Sequence, residues 1–304
     1  MTDAAIVTLP SKEAREWVAT ALGAGSRVAA VKRLKGGISS AVHLLTVDDV
    51  RGQRHEVVLR RWMDATHTVG AEWVKREAHV LEQLANTDLP VPRVLKIDPE
   101  GSSCGQAALL MSRLPGRMDL NPRNPQSWLD QLVTMLVRIH SAEVRAPEAE
   151  SWLDRDNLVV PAWSKRPELW RDAFSLLIEA PPRNERTFIH HDYQHFNLLW
   201  QRGQLSGVVD WIFGSNGSPG VDVGHCRLNL AVLYSSEFAQ RFLDLYERAS
   251  GRTVTAWWDV HELLVYLPGW GKFLQLQAGS QKTVDFDGMH RRVEDTLARA
   301  LLRV

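Results

Sequence analysis

The chain has 304 residues, enough for one large domain or two modest ones with a sizeable core. Apolar residues make up 44% of it and charged residues 24%, and 36 Lys and Arg balance 36 Asp and Glu. That balance speaks against a nucleic-acid partner or a basic membrane patch. No apolar run approaches the roughly 20 residues of a membrane span. Two distant cysteines, Cys104 and Cys226, fit a reducing compartment and no disulfide framework. With no basic segment leading an apolar core near Met1, no signal peptide is expected, and the reading is cytoplasmic and without a membrane partner.

Helical spacing first appears over Ser11–Leu22, with Ala14, Trp17, Val18 and Leu22 on one side and Gly23 past the end. Three strand-like segments follow, at 28–34, 41–47 and 56–62, joined by turn-rich stretches. A helix is expected over 71–84. Leu89-Pro-Val-Pro92 then forces extended chain, because proline restricts itself and the residue before it. A short apolar strand at 106–112 ends at Leu114-Pro-Gly-Arg117. Beyond it helical patterns dominate, at 126–141, 167–179 and several from Asp222 onward. Short strands around Phe188 and at 205–210 interrupt them. The fold class is therefore α+β. An antiparallel sheet with one long helix occupies 1–112, a mainly helical lobe occupies 113–304, and a hinge lies near 109–117.

The chemistry-bearing run is Thr187–Trp200 with Leu205–Trp211. It sets Asp192 five residues before Asn197, and Asp210 closes the next apolar run. Phosphoryl transfer from a nucleotide needs a carboxylate for the acceptor hydroxyl, plus an amide and a carboxylate for Mg²⁺. Order and spacing match the kinase catalytic loop H-x-D-x-x-x-x-N and its following metal aspartate. His190, His191, Asp192 and His195 could instead be metal ligands, but no helix carries them at i, i+4 and no second cluster completes the set. Gly36 and Gly37 with Ser39 and Ser40 form a loop able to approach phosphates, or an ordinary hairpin turn. Arg60 and Arg61 end the third strand on opposite faces, and Glu77 on the next helix is spaced to pair with one of them. Asp222 precedes a helical run, where the default role is N-cap, with bracing of the 190–192 loop as a second role. Among twelve tryptophans, Trp257, Trp258 and Trp270 are candidates for an aromatic-walled pocket, against the plainer reading of core packing.

Several segments together resemble the aminoglycoside phosphotransferase family, small-molecule kinases with a two-lobed, protein-kinase-like fold. They are Gly36-Gly-Ile-Ser-Ser40, Val57-Val-Leu-Arg60, Glu77, Leu89-Pro-Val-Pro92, Leu109–Gly116, Val137-Arg-Ile-His-Ser141, His190–Trp200, Val209-Asp-Trp211 and Asp222. The resemblance implies Asp192 as the catalytic aspartate and Asn197 and Asp210 as the Mg²⁺ ligands. It also implies Arg60, rather than Arg61, on the nucleotide phosphates with Glu77 behind it, Gly36 to Ser40 over those phosphates, and Met111, Ser112 and Leu114 along the adenine site. His190 would support the loop, and His191 and His195 would be surface or substrate-side residues. His191 stands where the family often has glycine, and Trp211-Ile follows Asp210 where protein kinases have Phe-Gly. The implied cofactors are ATP (or GTP) and Mg²⁺, and the implied partner is a small-molecule hydroxyl acceptor. Aminoglycosides, macrolides, choline, homoserine and sugars are all acceptors in the superfamily, and a nucleotide-binding scaffold without turnover is the alternative. The stretch 255–290, with Asp259, Glu262, Asp285 and Asp287, is only mildly acidic for an aminoglycoside.

Overall fold

Alternation of buried and half-buried residues along 41–48 is the pattern of a strand covered more heavily on one face. A computed structural model describes residues 8–34, 40–62, 67–178, 181–182, 186–266 and 270–304. Two compact units divide the chain. The first comprises Met1–Gly116 with Ser206–Ile212, and the second Arg117–Leu205 with Phe213–Val304. The sequence division at 112/113 leaves 206–212 in the second lobe, whereas its contacts are with the first unit; Val208 N, for example, donates to Pro90 O at 2.9 Å.

In the first unit, helix α1 (Lys12–Ala21) starts at Ser11, whose hydroxyl accepts from Ala14 N. Strands β1 (Arg27–Arg33), β2 (Ala41–Asp48), β3 (Arg54–Arg61), β4 (Val94–Asp98) and β5 (Ala108–Ser112) form an antiparallel sheet in the order β1-β2-β3-β5-β4. Helix α2 (His67–Leu84) follows β3. Leu45, Val47, Val57, Leu59, Ala108 and Leu110 pack with Ala14, Trp17 and Val18 of α1 in one core cluster. Alternation then turns Arg60 to the opposite face of the sheet, where it meets Glu77 of α2. Strand β4 has no counterpart in the sequence reading; it is an edge strand with Leu95 and Ile97 exposed, so its burial signal is weak.

In the second unit, α3 (Pro125–His140) is capped by Asn124, whose side chain accepts from Ser127 N. Helix α4 spans Pro167–Ile178, and strand β6 (Thr187–Ile189) pairs antiparallel with β9 (Ser215–Gly217). Between them in the chain lie β7 (Leu198–Gln201) and β8 (Gln204–Val208). Helix α5 (Pro219–Leu233) is buried along its whole length, as expected of a helix at the centre of a helical lobe. Helices α6 (Ser236–Ser250), α7 (Ala256–Tyr266) and α9 (Phe286–Leu301) pack on it, and α8 covers Trp270–Ala278. Among the described residues no helix is long and apolar enough to cross a membrane.

Candidate functional site

Each unit holds one polar cluster built around a candidate aspartate. In the first unit, Arg60 is buried and Nη1 donates to both Glu77 oxygens at 3.0 Å and to Asp210 Oδ1 at 2.8 Å. Its Nε donates to Ser40 Oγ at 3.0 Å, and its guanidinium lies 4.8 Å from the Trp62 ring centroid. A guanidinium serves this junction better than an ammonium because its donors point in fixed, divergent directions. Burial works to lower the Arg60 pKa, but the charges of Asp210 and Glu77 outweigh it and raise the pKa above its ordinary value. Burial falls on Glu77 instead, pushing it up to about 7 with help from Asp210 and against the pull of Arg60. Arg60 therefore stays charged. The Trp211 N–H also donates to Glu77 Oε1, at 3.3 Å, which ties the 206–212 segment to α2.

Asp210 sits at φ 68°, the left-handed region that is costly for a side-chain-bearing residue. Its Oδ1 is taken by Arg60, and its other oxygen has no hydrogen bond among the described residues. Arg61 takes no part in this cluster. Its side chain lies on the α1 face and donates to Thr8 O at 2.6 Å. Met111 and Ser112 lie inside β5, where Ser112 N donates to Arg93 O and Ser112 Oγ accepts from Arg93 N, both at 2.8 Å. The Ser112 N–H is thus committed to the sheet; Leu114, past the strand end, makes no hydrogen bond among the described residues. Gly36, Gly37 and Ser39 lie outside the described residues, while Ser40 is buried.

In the second unit, Asp192 follows β6 in a loop closed by a 3₁₀ turn over His195–Asn197. Its Oδ1 accepts from Gln194 Nε2 at 2.7 Å and lies 2.9 Å from His225 Nε2. Its Oδ2 accepts from Asn197 Nδ2 at 2.9 Å, and the same amide nitrogen reaches Asp192 O at 2.9 Å. Among the described residues the Asn197 amide oxygen has no hydrogen bond. Burial alone would raise the Asp192 pKa; the hydrogen bond and charge of His225, then His190 and Asn197, hold it below its ordinary value. His225 is raised in turn: burial lowers it, but Asp192, Glu262 and Asp222 together favour the imidazolium.

The loop is held from beneath by Asp222. Its Oδ2 accepts from His190 N at 2.8 Å and its Oδ1 from His191 N at 2.7 Å, and His140 Nε2 lies 3.1 Å from Oδ2. Asp222 is not the N-cap of α5. Ser218 is, accepting from Gly220 N at 3.2 Å, and Asp222 lies in the first turn. The proline at the first helical position moves the helix start ahead of the aspartate. His190 is fully buried, with Nδ1 accepting from Asp192 N at 3.3 Å.

His191 and His195 are not surface residues; they are 5% and 0% exposed. His191 adopts φ 68°, the conformation for which glycine is suited, and its ring stacks on Trp152 at 4.3 Å and 3°. His195 lies among Phe196, Tyr234 and Trp128, and its ring nitrogens have no hydrogen-bond partner among the described residues. Burial pushes its pKa down to about 3, so it is a neutral aromatic filler. Trp257 and Trp258 are buried, with Trp258 so close to Gly220 that a Cβ there would meet it at 2.3 Å. They are core residues of α7, and the Trp270 side chain lies outside the described residues.

A five-stranded antiparallel sheet with one long helix, joined to a helical lobe, is the protein-kinase-like architecture, and solved structures share it. LicA in complex with AMP superposes with a TM-score of 0.62 at 15% identity, covering 94% of this chain and 97% of that one. A thermostable mutant of the aminoglycoside phosphotransferase APH(4)-Ia, in ternary complex with ADP and hygromycin B, gives 0.59 at 17% identity, covering 91% and 95%. The family model for the phosphotransferase enzyme family APH matches residues 30–261, and the chain belongs to that family. Among curated proteins, mouse acyl-CoA dehydrogenase family member 10 is 26% identical over 200 residues, 59% of this chain and 19% of that protein. The chain spans about a fifth to a quarter of the length of the curated relatives it matches.

Proposed function

We propose that the protein transfers the γ-phosphoryl group of ATP or GTP to a hydroxyl of a small molecule, with Asp192 as the residue that receives the acceptor. The observation carrying this reading is the arrangement around Asp192. The residue is kept ionised by its donors, and Asn197, tied to it through the amide nitrogen, has its amide oxygen left over. Asn197 Oδ1 and the second carboxylate oxygen of Asp210 are hard oxygen donors of the kind Mg²⁺ prefers. They are the groups that would hold it, and Mg²⁺ would neutralise charge on the phosphates. Arg60, fixed by Glu77, would contribute a charged guanidinium towards the nucleotide phosphates, with Ser40 alongside. Asp192 would orient the acceptor hydroxyl and take its proton. Catalysis on this reading is positioning plus charge neutralisation, with no covalent intermediate on the protein.

The acceptor reading rests on the acids of 255–290. Asp259 is paired with Arg227 and Arg303, Glu262 with His261, and Asp285 caps α9 and pairs with Arg292. Three of the four carboxylates available for a polycation therefore already have internal partners, which favours an acceptor of low positive charge over an aminoglycoside. Hygromycin B, bound by APH(4)-Ia, belongs in the test panel nonetheless. The experiment is coupled ADP release across aminoglycosides, macrolides, amino alcohols and sugars, with Asp192→Asn as control. Wild type is expected to show Mg²⁺-dependent turnover with a sugar or amino alcohol, lowered by about 10²–10⁴-fold in the variant. ATP binding without turnover on any acceptor would replace this reading with a scaffold, and activity confined to aminoglycosides would reverse the acceptor assignment.

A further inference from the structure

Helix α5 delivers to Asp192 a contact that the catalytic-loop motif does not contain. His225 Nε2 lies 2.9 Å from Asp192 Oδ1, and the imidazole is 2% exposed. Asn229 Nδ2 also lies 3.3 Å from Nε2, but that amide nitrogen donates to His225 O at 3.0 Å, and the shorter contact to a carboxylate oxygen, which can only accept, puts the proton on Nε2. The two oxygens of Asp192 are unequally engaged. Among the described residues, Oδ1 meets both Gln194 Nε2 and His225 Nε2, while Oδ2 meets Asn197 Nδ2 alone. With about two lone-pair directions on each oxygen, Oδ1 is filled and Oδ2 keeps one open. Gly224, the preceding residue, lets α7 approach. A Cβ there would meet Trp258 O at 2.7 Å and Glu262 Cγ at 2.9 Å. That close approach sets the Glu262 carboxylate among the charges that favour a protonated His225.

We propose that His225 is a positioning residue that holds Asp192 by Oδ1 so that Oδ2 is the oxygen offered to the acceptor hydroxyl. The inference rests on the phosphotransferase reading above. In the transfer the acceptor O–H bond breaks, its proton passes to Oδ2, and the acceptor oxygen's electron pair forms the new O–P bond. The nucleotide's bridging oxygen leaves with the electron pair of the broken P–O bond. The Nε2 proton stays on His225 throughout, and Asp192 returns its proton to solvent when product departs.

Wild type, His225→Gln and His225→Leu are compared for Mg-ATP binding by calorimetry and for kcat and KM of ADP release, with water as acceptor until a better one is found. Nucleotide affinity is expected to stay within about twofold in all three, because His225 touches Asp192 and not the nucleotide-side cluster of Arg60. Misplacing a catalytic group costs about 10–100-fold, so kcat should fall by that factor in His225→Leu. It should largely return in His225→Gln, whose amide nitrogen can stand where Nε2 stands. In ¹H–¹⁵N spectra the His225 Nε2–H resonance should appear downfield in wild type and move in Asp192→Asn. A wild-type kcat in folded His225→Leu overturns the inference alone, as does a ring resonance indifferent to Asp192→Asn. If His225→Leu fails to fold, the Gln variant and the ring resonance decide. Wild type that fails to bind Mg-ATP, or binds it and releases no ADP, overturns the phosphotransferase reading first and this inference with it.

Discussion

The two aspartate loops share a backbone device and differ in how their charge is balanced. Each contains a residue other than glycine at φ 68°, His191 before Asp192 and Asp210 itself. Around Asp210 the balance is ionic, with one buried guanidinium serving two carboxylates. Around Asp192 it comes from amide nitrogens and an imidazole, with a second buried aspartate, Asp222, holding the backbone beneath. An arginine cannot give up its charge, so the Asp210 cluster keeps a constant field, as its proposed role towards phosphates and a metal ion would require. Weaker and more numerous donors leave Asp192 ionised yet still able to accept a proton, which is what its proposed role at an acceptor hydroxyl would require.

Removing Asp222 should break the comparison most severely. Asp222→Ala would leave His190 N, His191 N and His140 Nε2 buried without their acceptor, and loss of one partner of a buried charged network costs about 3–5 kcal/mol. Chemical denaturation should show that loss, and turnover should fall with it because the loop is no longer held. A stability loss below about 1 kcal/mol would mean that the loop keeps its shape by other contacts.

Arg60→Lys tests the ionic loop with a smaller expected effect. An ammonium cannot reproduce the fixed fork that meets Ser40, Glu77 and Asp210 together, so about 1–3 kcal/mol of stability should be lost. Mg-ATP affinity by calorimetry should weaken by roughly tenfold, since one charge-assisted hydrogen bond is worth about that much. An unchanged melt together with unchanged affinity would show that charge alone, not the fork, matters here.

His191→Gly is the finest test. Relief of the left-handed conformation should gain about 1–2 kcal/mol, while loss of the Trp152 stack and the Ser215 contact at 3.2 Å should cost about as much. The net change in unfolding free energy is expected to lie within about 1 kcal/mol of zero. A loss above about 2 kcal/mol would show that the stack, rather than Asp222, holds the loop in its strained form.

Much of this architecture is legible in local patterns. Helix α1 begins at Ser11 because a hydroxyl there caps the first turn, and α3 ends within a residue of its expected boundary. Strand β2 announces itself as a short, mostly apolar run between turn-rich stretches. Strands β4, β7 and β9 do not, being an exposed edge in one case and only three or four residues long in the others. His191 and His195 read as surface or substrate-side residues because the aromatic rings that bury them come mostly from distant segments, Trp152 in one case and Trp128 and Tyr234 in the other. A histidine in the apolar run 219–233 was the available signal for His225, since a polar group at the core of a helical lobe must find a partner.

The amino-acid sequence by itself determined the α+β class, the order of the lobes, and the spacing of Asp192, Asn197 and Asp210, because periodicity and motif spacing are properties of neighbouring residues. Tertiary structure alone decided that Asp210 joins Glu77 on Arg60, that His195 is buried against Trp128 and Tyr234, and that His225 reaches Asp192. Those choices depend on which face of a strand or helix meets another element, and on where buried charges find their partners. Such contacts join residues far apart in the chain, so no local pattern records them.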